Sequence, residues 1–293
     1  MNSQIELIAG YWTLSGGTGP ASTSKICKFS LEDRIWAAVS AGYTGIGFGH
    51  VDLMHHLSTM RPGAFSAALR KENIKNLELE VLLDWFATDE RKEASDVVRR
   101  QLLEVAAEAG ARHIKVVGDR SRDAKWPQER LISSFHELCE QAARVGTRIA
   151  LEIQPWSAVY NVDKALEIVA GANHPAGGVM LDIWHIVREN IPFTELAKFN
   201  KDQITAVELS DATAQLVGTL WEDTVDRRRL CGEGEFDIQG FIRQVQTIGY
   251  RGPYSVEIIS EDHRKRSLQD QAKSSFSTTI AQFRDVDVKD YQL

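Results

Sequence analysis

Cysteine is scarce in this chain. Cys27, Cys139 and Cys231 are the only three in 293 residues, they lie far apart, and none forms a CxxC pair. An odd, scattered set argues against a disulfide framework or a zinc ribbon and suits reduced thiols in a cytoplasmic protein. Long apolar runs are lacking too. No uninterrupted stretch approaches the ~20 residues of a membrane span. The start, MNSQIELIAG, has no basic segment leading into an apolar run, so neither a secretory signal nor a membrane partner is expected. Nor is there an excess of positive charge. The 34 Lys and Arg stand against 41 Asp and Glu, mixed along the chain, for a net charge of −7. That balance offers no basic face of the kind a nucleic-acid partner demands, and none is expected. No linker, low-complexity segment or charge block divides the chain.

What is present is an ordinary globular balance, 43% hydrophobic and 26% charged. Short apolar runs alternate with longer amphipathic stretches. The candidate strands are Ile5–Leu14, Gly45–Phe48, Leu77–Trp85, His113–Val117, Arg148–Gln154, Gly178–Trp184, Ile204–Leu209 and Tyr254–Ile259. Between them, LEDRIWAAVSAG, SDVVRRQLLEVAAEAG, QERLISSFHELCEQAARVG and FDIQGFIRQVQTIG carry apolar residues at helical spacing. Gly42, Gly110, Gly146 and Gly249 stand where left-handed helix caps belong. Eight strand–helix units imply right-handed crossovers and a parallel sheet closed on itself. The expected class is α/β, a single parallel (β/α)₈ TIM barrel of one domain over residues 1–293, with a C-terminal tail from about residue 286. A barrel of ~250 residues is typical. A doubly wound open sheet would favour GxGxxG after the first strand, and GYWTLSGGTGP lacks that spacing.

Four strands share one pattern: RIALEIQ, GVMLDIW, TAVELSD and YSVEII. Each sets a carboxylate near its C-terminal end, at Glu152, Asp182, Glu208 and Glu257, between two apolar neighbours. Side chains alternate faces along a strand, so if the neighbours face the helices the carboxylates point into the barrel. Two residues earlier on that inner face stand Ala150, Met180, Ala206 and Ser255, mostly small. Four converging carboxylates repel one another and lose hydration. A divalent cation resolves both costs, and an oxygen-only ligand set suits Mn²⁺ or Mg²⁺.

Other residues join this group by position. Lys115 sits between Ile114 and Val116 on the fourth strand and points inward, either to neutralise Glu80 or Glu152 or to bind a substrate oxygen. Asp84 shares a face with Glu80, and only Asp84 is expected near the mouth. His50 follows the second strand, and His55 and His56 are expected in a loop. Trp12, Trp85, Trp156 and Trp184 fall near C-terminal strand ends and suggest a ring-stacking wall suited to a sugar or another cyclic substrate.

On the segments LEIQPW, MLDIWH, VELSD, CGEGEFD and YSVEIIS, the chain resembles the xylose isomerase-like TIM barrel superfamily, the sugar phosphate isomerase/epimerase type, from about Ile5 to Phe283. The resemblance implies metal ligands at Glu152, Asp182 and Glu257. The seventh-strand position departs from the usual pattern, with Glu208 where many members carry His. The resemblance also implies substrate contact by His185 of the Asp-x-x-His run and by one of Arg227, Arg228 and Arg229. It implies a homo-oligomer, a dimer or tetramer, acting on a small sugar-like molecule. In the implied mechanism, Glu152 or Glu257 removes the proton next to a metal-bound carbonyl, giving an enediolate. Return of a proton gives a metal-dependent isomerase or epimerase, and loss of a β leaving group gives a dehydratase or lyase. A DNA-repair endonuclease of the type IV apurinic class shares this barrel but needs many histidines, and these strand ends are histidine-poor. A metal-free binding protein would have little reason to retain four costly carboxylates.

Overall fold

A computed structural model describes residues 5–284; the tail expected from about residue 286 lies outside the described residues. Eight parallel strands close into a barrel: β1 (Leu7–Ala9), β2 (Gly45–Gly49), β3 (Asn76–Leu82), β4 (Ala111–Val117), β5 (Arg148–Glu152), β6 (Gly177–Asp182), β7 (Ile204–Leu209) and β8 (Tyr254–Val256). Each strand pairs with the next in sequence. β1 completes the circle against β8, with Leu7 opposite Tyr254 and Ala9 opposite Val256. Closure leaves no sheet edge open to another chain. The expected (β/α)₈ architecture is the one observed.

The helices between strands start and stop where local chemistry directs. Ser30 accepts the Asp33 amide at the start of the helix Leu31–Ala41, and Asp237 accepts the Gly240 amide before Ile238–Ile248. Each such cap contributes ~1 kcal/mol. Gly42 and Gly249 close the same helices with φ of 114° and 107°. No helix among the described residues is long and apolar enough to cross a membrane.

Five strands end before their apolar runs suggest, β5 and β6 by two residues each, and β1, β3 and β8 for reasons visible in the backbone. β1 stops at Ala9 because the Gly10 carbonyl takes the Thr13 amide at 3.0 Å, winding Tyr11–Leu14 into a 3₁₀ turn. Gly10 also passes so near β8 that a Cβ there would sit 2.9 Å from the Val256 carbonyl oxygen. β3 ends at Leu82, and Asp84 turns the chain with φ of 55°. β8 ends at Val256, although the Glu257 amide still donates to the Leu209 carbonyl at 3.0 Å. His55 and His56 lie on a helix, His50–Leu57, not in a loop. Leu53, Met54 and Leu57 at helical spacing dock that helix on the core.

Side-chain alternation divides the interior into two zones. The apolar neighbours of the four carboxylates, Leu151 and Ile153 through Val256 and Ile258, join the main core between sheet and helices. Ala150, Met180 and Ala206 form a separate small cluster inside the barrel. Below the mouth, Ser255 donates to Glu78 Oε1 at 2.8 Å, and His113 Nε2 lies 3.5 Å from Glu78 Oε2. Burial pushes the Glu78 carboxyl up to about 7 and the His113 imidazole down to about 3.

Candidate metal centre

Glu152 and Asp182 are the last residues of β5 and β6, Glu208 is the penultimate residue of β7, and Glu257 immediately follows β8. All four are buried, and register brings them together, with Asp182 opposite Glu208. Glu80 of β3 completes a ring of five. This corrects the expectation that only Asp84 of that strand reaches the mouth: Glu80 lines the same pocket and lies 2.8 Å from Lys115 Nζ.

Two cations are threaded into the ring. Lys115 Nζ lies 3.0 Å from Glu208, 3.1 Å from Glu257 and 3.8 Å from Glu152. Arg228 Nη1 lies 2.8 Å from Asp182 and 3.2 Å from Glu257. Burial works against the charge on Lys115, but the carboxylates, Glu208 foremost, outweigh it and hold the ammonium well above its usual range. Arg228 is likewise held above its range, chiefly by Asp182 and Glu257 against the cost of burial. Lys115 thus neutralises both Glu80 and Glu152, the partners expected from the sequence, and Glu208 and Glu257 besides.

Five carboxylates against two cations leave negative charge in excess. Burial and the neighbouring carboxylates raise Glu152 to about 8 and lift Glu208 well above the carboxylate range. The imidazole of His185, lowered far below its usual value by burial and then by Arg228, stays neutral. It lies 3.6 Å from Glu152 and 3.4 Å from Asp182.

These groups fit a divalent cation. Donor atoms of Asp182, Glu208 and Glu257 lie within 4.8 Å of one another, as do those of Glu152, Asp182 and His185. Ligands ~2 Å from one ion stand ~3–4 Å apart, so modest closure of either set suffices. Glu152 Oε1 and His185 Nδ1 are buried without a hydrogen-bond partner. Asp182 belongs to both sets, and its Oδ1 also takes the Trp184 amide at 2.8 Å.

The ring forms part of the floor of a cavity of about 590 Å³. Of the three arginines, Arg228 alone lines it. Arg227 and Arg229 are exposed, because backbone pairing of Arg227 with Ser260 and of Arg229 with Asp211 alternates their side chains outward. Asp84, His50, Trp12 and Trp156 line the cavity as expected. Asp84 is held by Arg91 at 3.1 Å, and His50 Nε2 by Gln101 at 2.8 Å. Trp85 and Trp184 are corrections to the aromatic wall. Trp85 is buried with its indole N–H on the Val117 carbonyl, and Trp184 packs behind Trp156 with its own on Asp223.

Other contributors escaped the sequence reading. Gln154 donates to Glu152 Oε2 at 2.6 Å. It stands two residues past Glu152 in LEIQPW, so alternation could have found it. Arg91 and Trp221 line the cavity from segments whose periodicity carries no such signal. Asp211 accepts the amides of Ala212, Gly232, Gly234 and Phe236, which shapes the loop following Arg228.

Comparison with known proteins agrees with this architecture. The chain is 25% identical over 252 residues to a 3-dehydroshikimate dehydratase of Pseudomonas putida, an alignment covering 86% of this chain and 39% of that protein. It thus spans about two fifths of the length of that relative. It is 22% identical over 214 residues to an inosose isomerase of Bacillus licheniformis, covering 71% of this chain and 76% of the other. An IolI protein solved with a bound zinc atom superposes with a TM-score of 0.82 at 20% identity, covering 95% of this chain and 98% of that one. The family model described as xylose isomerase-like TIM barrel matches residues 35–278. The chain belongs to the xylose isomerase-like TIM barrel family.

Proposed function

We propose that this chain is a divalent-metal-dependent lyase that removes the proton next to a carbonyl of a cyclic or sugar-like polyhydroxy compound and eliminates water. Glu152, Asp182, Glu208 and Glu257 would hold the ion, with His185 beside them. When bound, a divalent cation polarises a carbonyl and stabilises negative charge on its oxygen. Mn²⁺ or Mg²⁺ suits the carboxylate-rich set, and a neutral His185 leaves room for zinc.

The observation that carries the reading is the unequal state of the carboxylates. Glu257 has one oxygen against Lys115 and the other against Arg228, and Glu208 has both on Lys115. Glu152 keeps Oε1 without a hydrogen bond, and burial raises its proton affinity to about 8. Glu80 Oε1 is likewise without a hydrogen bond, but its Oε2 is held at 2.8 Å by Lys115. A single base at Glu152 suits elimination, whereas epimerisation needs a second carboxylate on the opposite face. Glu152 Oε1 takes the proton, the C–H electron pair forms the new double bond, and the β-hydroxyl departs as water on receiving that proton from Glu152. Lys115 and Arg228 orient the substrate oxygens. The dehydratases among the relatives support this branch, and the inosose isomerase keeps isomerisation as the second reading.

The test is incubation of the Mn²⁺-loaded protein with cyclic keto-polyols in D₂O, followed by NMR and by ultraviolet absorbance of the conjugated product. Wild type should form the enone and Glu152→Gln should lose at least a hundredfold in rate, the scale of a missing general base. Proton exchange without an enone would favour the isomerase. Neither event with any compound contradicts the proposal.

A further inference from the structure

The cavity is larger and more apolar than a single polyol ring requires. Its volume of about 590 Å³ equals that of about twenty waters at ~30 Å³ each, whereas a keto-hexose has twelve heavy atoms. The polar groups of the floor are Glu80, Lys115, Glu152, His185, Arg228 and Glu257. Above them the walls are mostly hydrocarbon and indole: Val51, Leu83 and Val98 on one side, Trp156, Trp221 and Val225 on the other.

Much of the polar surface on the walls is already engaged. Asp84 is paired with Arg91, His50 with Gln101, and the Lys25 ammonium with the Pro20 and Ser22 carbonyls. A sugar hydroxyl pressed against the hydrocarbon of Val51, Leu83 and Val98 would lose water without gaining a partner, at ~1–3 kcal/mol each. The aromatic rings, by contrast, form a continuous path out of the floor. Trp156 stands with its ring centroid 5.2 Å from His185 and 6.4 Å from Trp221. Trp221 is 53% exposed, and the preceding Leu216 and Val217 are exposed as well. An isolated exposed apolar side chain is ordinary, but here Trp221 lines the cavity and Leu216 and Val217 extend the exposed apolar surface of its segment.

We propose that the substrate is a conjugate: a keto-sugar whose carbonyl end meets the floor and whose aromatic substituent lies in a subsite walled by Trp156 and Trp221. The inference rests on the carboxylate floor being the reacting end, as in the function proposed above. It adds an aryl-binding subsite and makes the substrate class an aryl glycoside rather than a bare ring.

Titration calorimetry with 4-nitrophenyl and methyl β-D-glucopyranoside tests the subsite directly. Both lack the ketone and do not turn over. The aryl glycoside should bind at least tenfold more tightly, and Trp221→Ala, a change at an exposed position, should cut that ratio at least threefold. Trp156→Leu should cut it further. Equal or undetectable binding of the two glycosides, or a ratio unchanged in both variants, overturns the proposal. Metal content measured on the same samples separates the two readings. A metal-free protein that retains the aryl preference removes the metal reading and keeps the subsite, and a metal-loaded protein without the preference does the reverse.

Discussion

Lys115 sits within ion-pair distance of four carboxylates, three on the strands β3, β5 and β7 and one just past the end of β8. Its inward direction follows from alternation between Ile114 and Val116. The number of its partners does not, because distances across a barrel leave no mark in any local pattern. Its ammonium offsets charge that a metal ion would also offset. Lys115→Met should therefore bind Mn²⁺ at least tenfold more tightly by calorimetry. Without metal the variant should unfold more easily by ~3–5 kcal/mol, the cost of breaking a buried pair. Weaker Mn²⁺ binding in the variant would contradict this role. Glu78 carries a second residue-scale consequence. Its folded-state value, about 7, lies above the ordinary 4.5, with burial as the main cause. The stability it contributes is thus complete below about 4.5 and is lost as pH rises through 7. Glu78→Gln should gain on wild type by up to about 3 kcal/mol in unfolding free energy between pH 4.5 and 8. Parallel pH profiles for the two proteins would contradict the assignment.

At the scale of elements, strand identity and inward face were readable wherever apolar and polar residues alternate. RIALEIQ and GVMLDIW announce β5 and β6, and Gln154 continues the same face. The strand ends were harder. Hydrophobicity continues through Trp12 and Trp85, but the Gly10–Thr13 hydrogen bond and the left-handed Asp84 end pairing earlier. The loop after β7 was the least legible. Selecting Arg228 from three adjacent arginines requires the backbone pairing of its neighbours. That loop depends on Gly234, where a Cβ would lie 2.2 Å from Asp211 Oδ1. Gly234→Ala should break the Asp211 amide cluster, lowering stability by ~1–3 kcal/mol. It should also reduce kcat/KM by loosening the seat of Arg228. A variant with unchanged melting temperature and unchanged kinetics would show that Arg228 is held independently of this loop.

At the scale of the whole molecule, barrel closure gives the chemistry its setting. Eight parallel strands deliver residues separated by up to 177 positions to one small volume, as from Glu80 to Glu257. The small Ala150–Met180–Ala206 layer supports them from beneath. Periodicity and eight repeats of one unit made this architecture readable from sequence. The recurrent carboxylate pattern made the ring readable, whereas the aromatic walls depend on loop conformations that periodicity does not specify. The central claim is that the ring holds one divalent cation. The most direct measurement is elemental analysis of the protein after Mn²⁺ loading and removal of free metal, for wild type and Asp182→Asn together. Asp182 belongs to both candidate ligand sets, and Asn preserves its cap on Trp184. About one ion per chain in wild type is expected from a single-ion centre, with clear loss in a variant whose circular dichroism is unchanged. A folded wild type that retains no ion, or a variant that retains as much, would contradict the account.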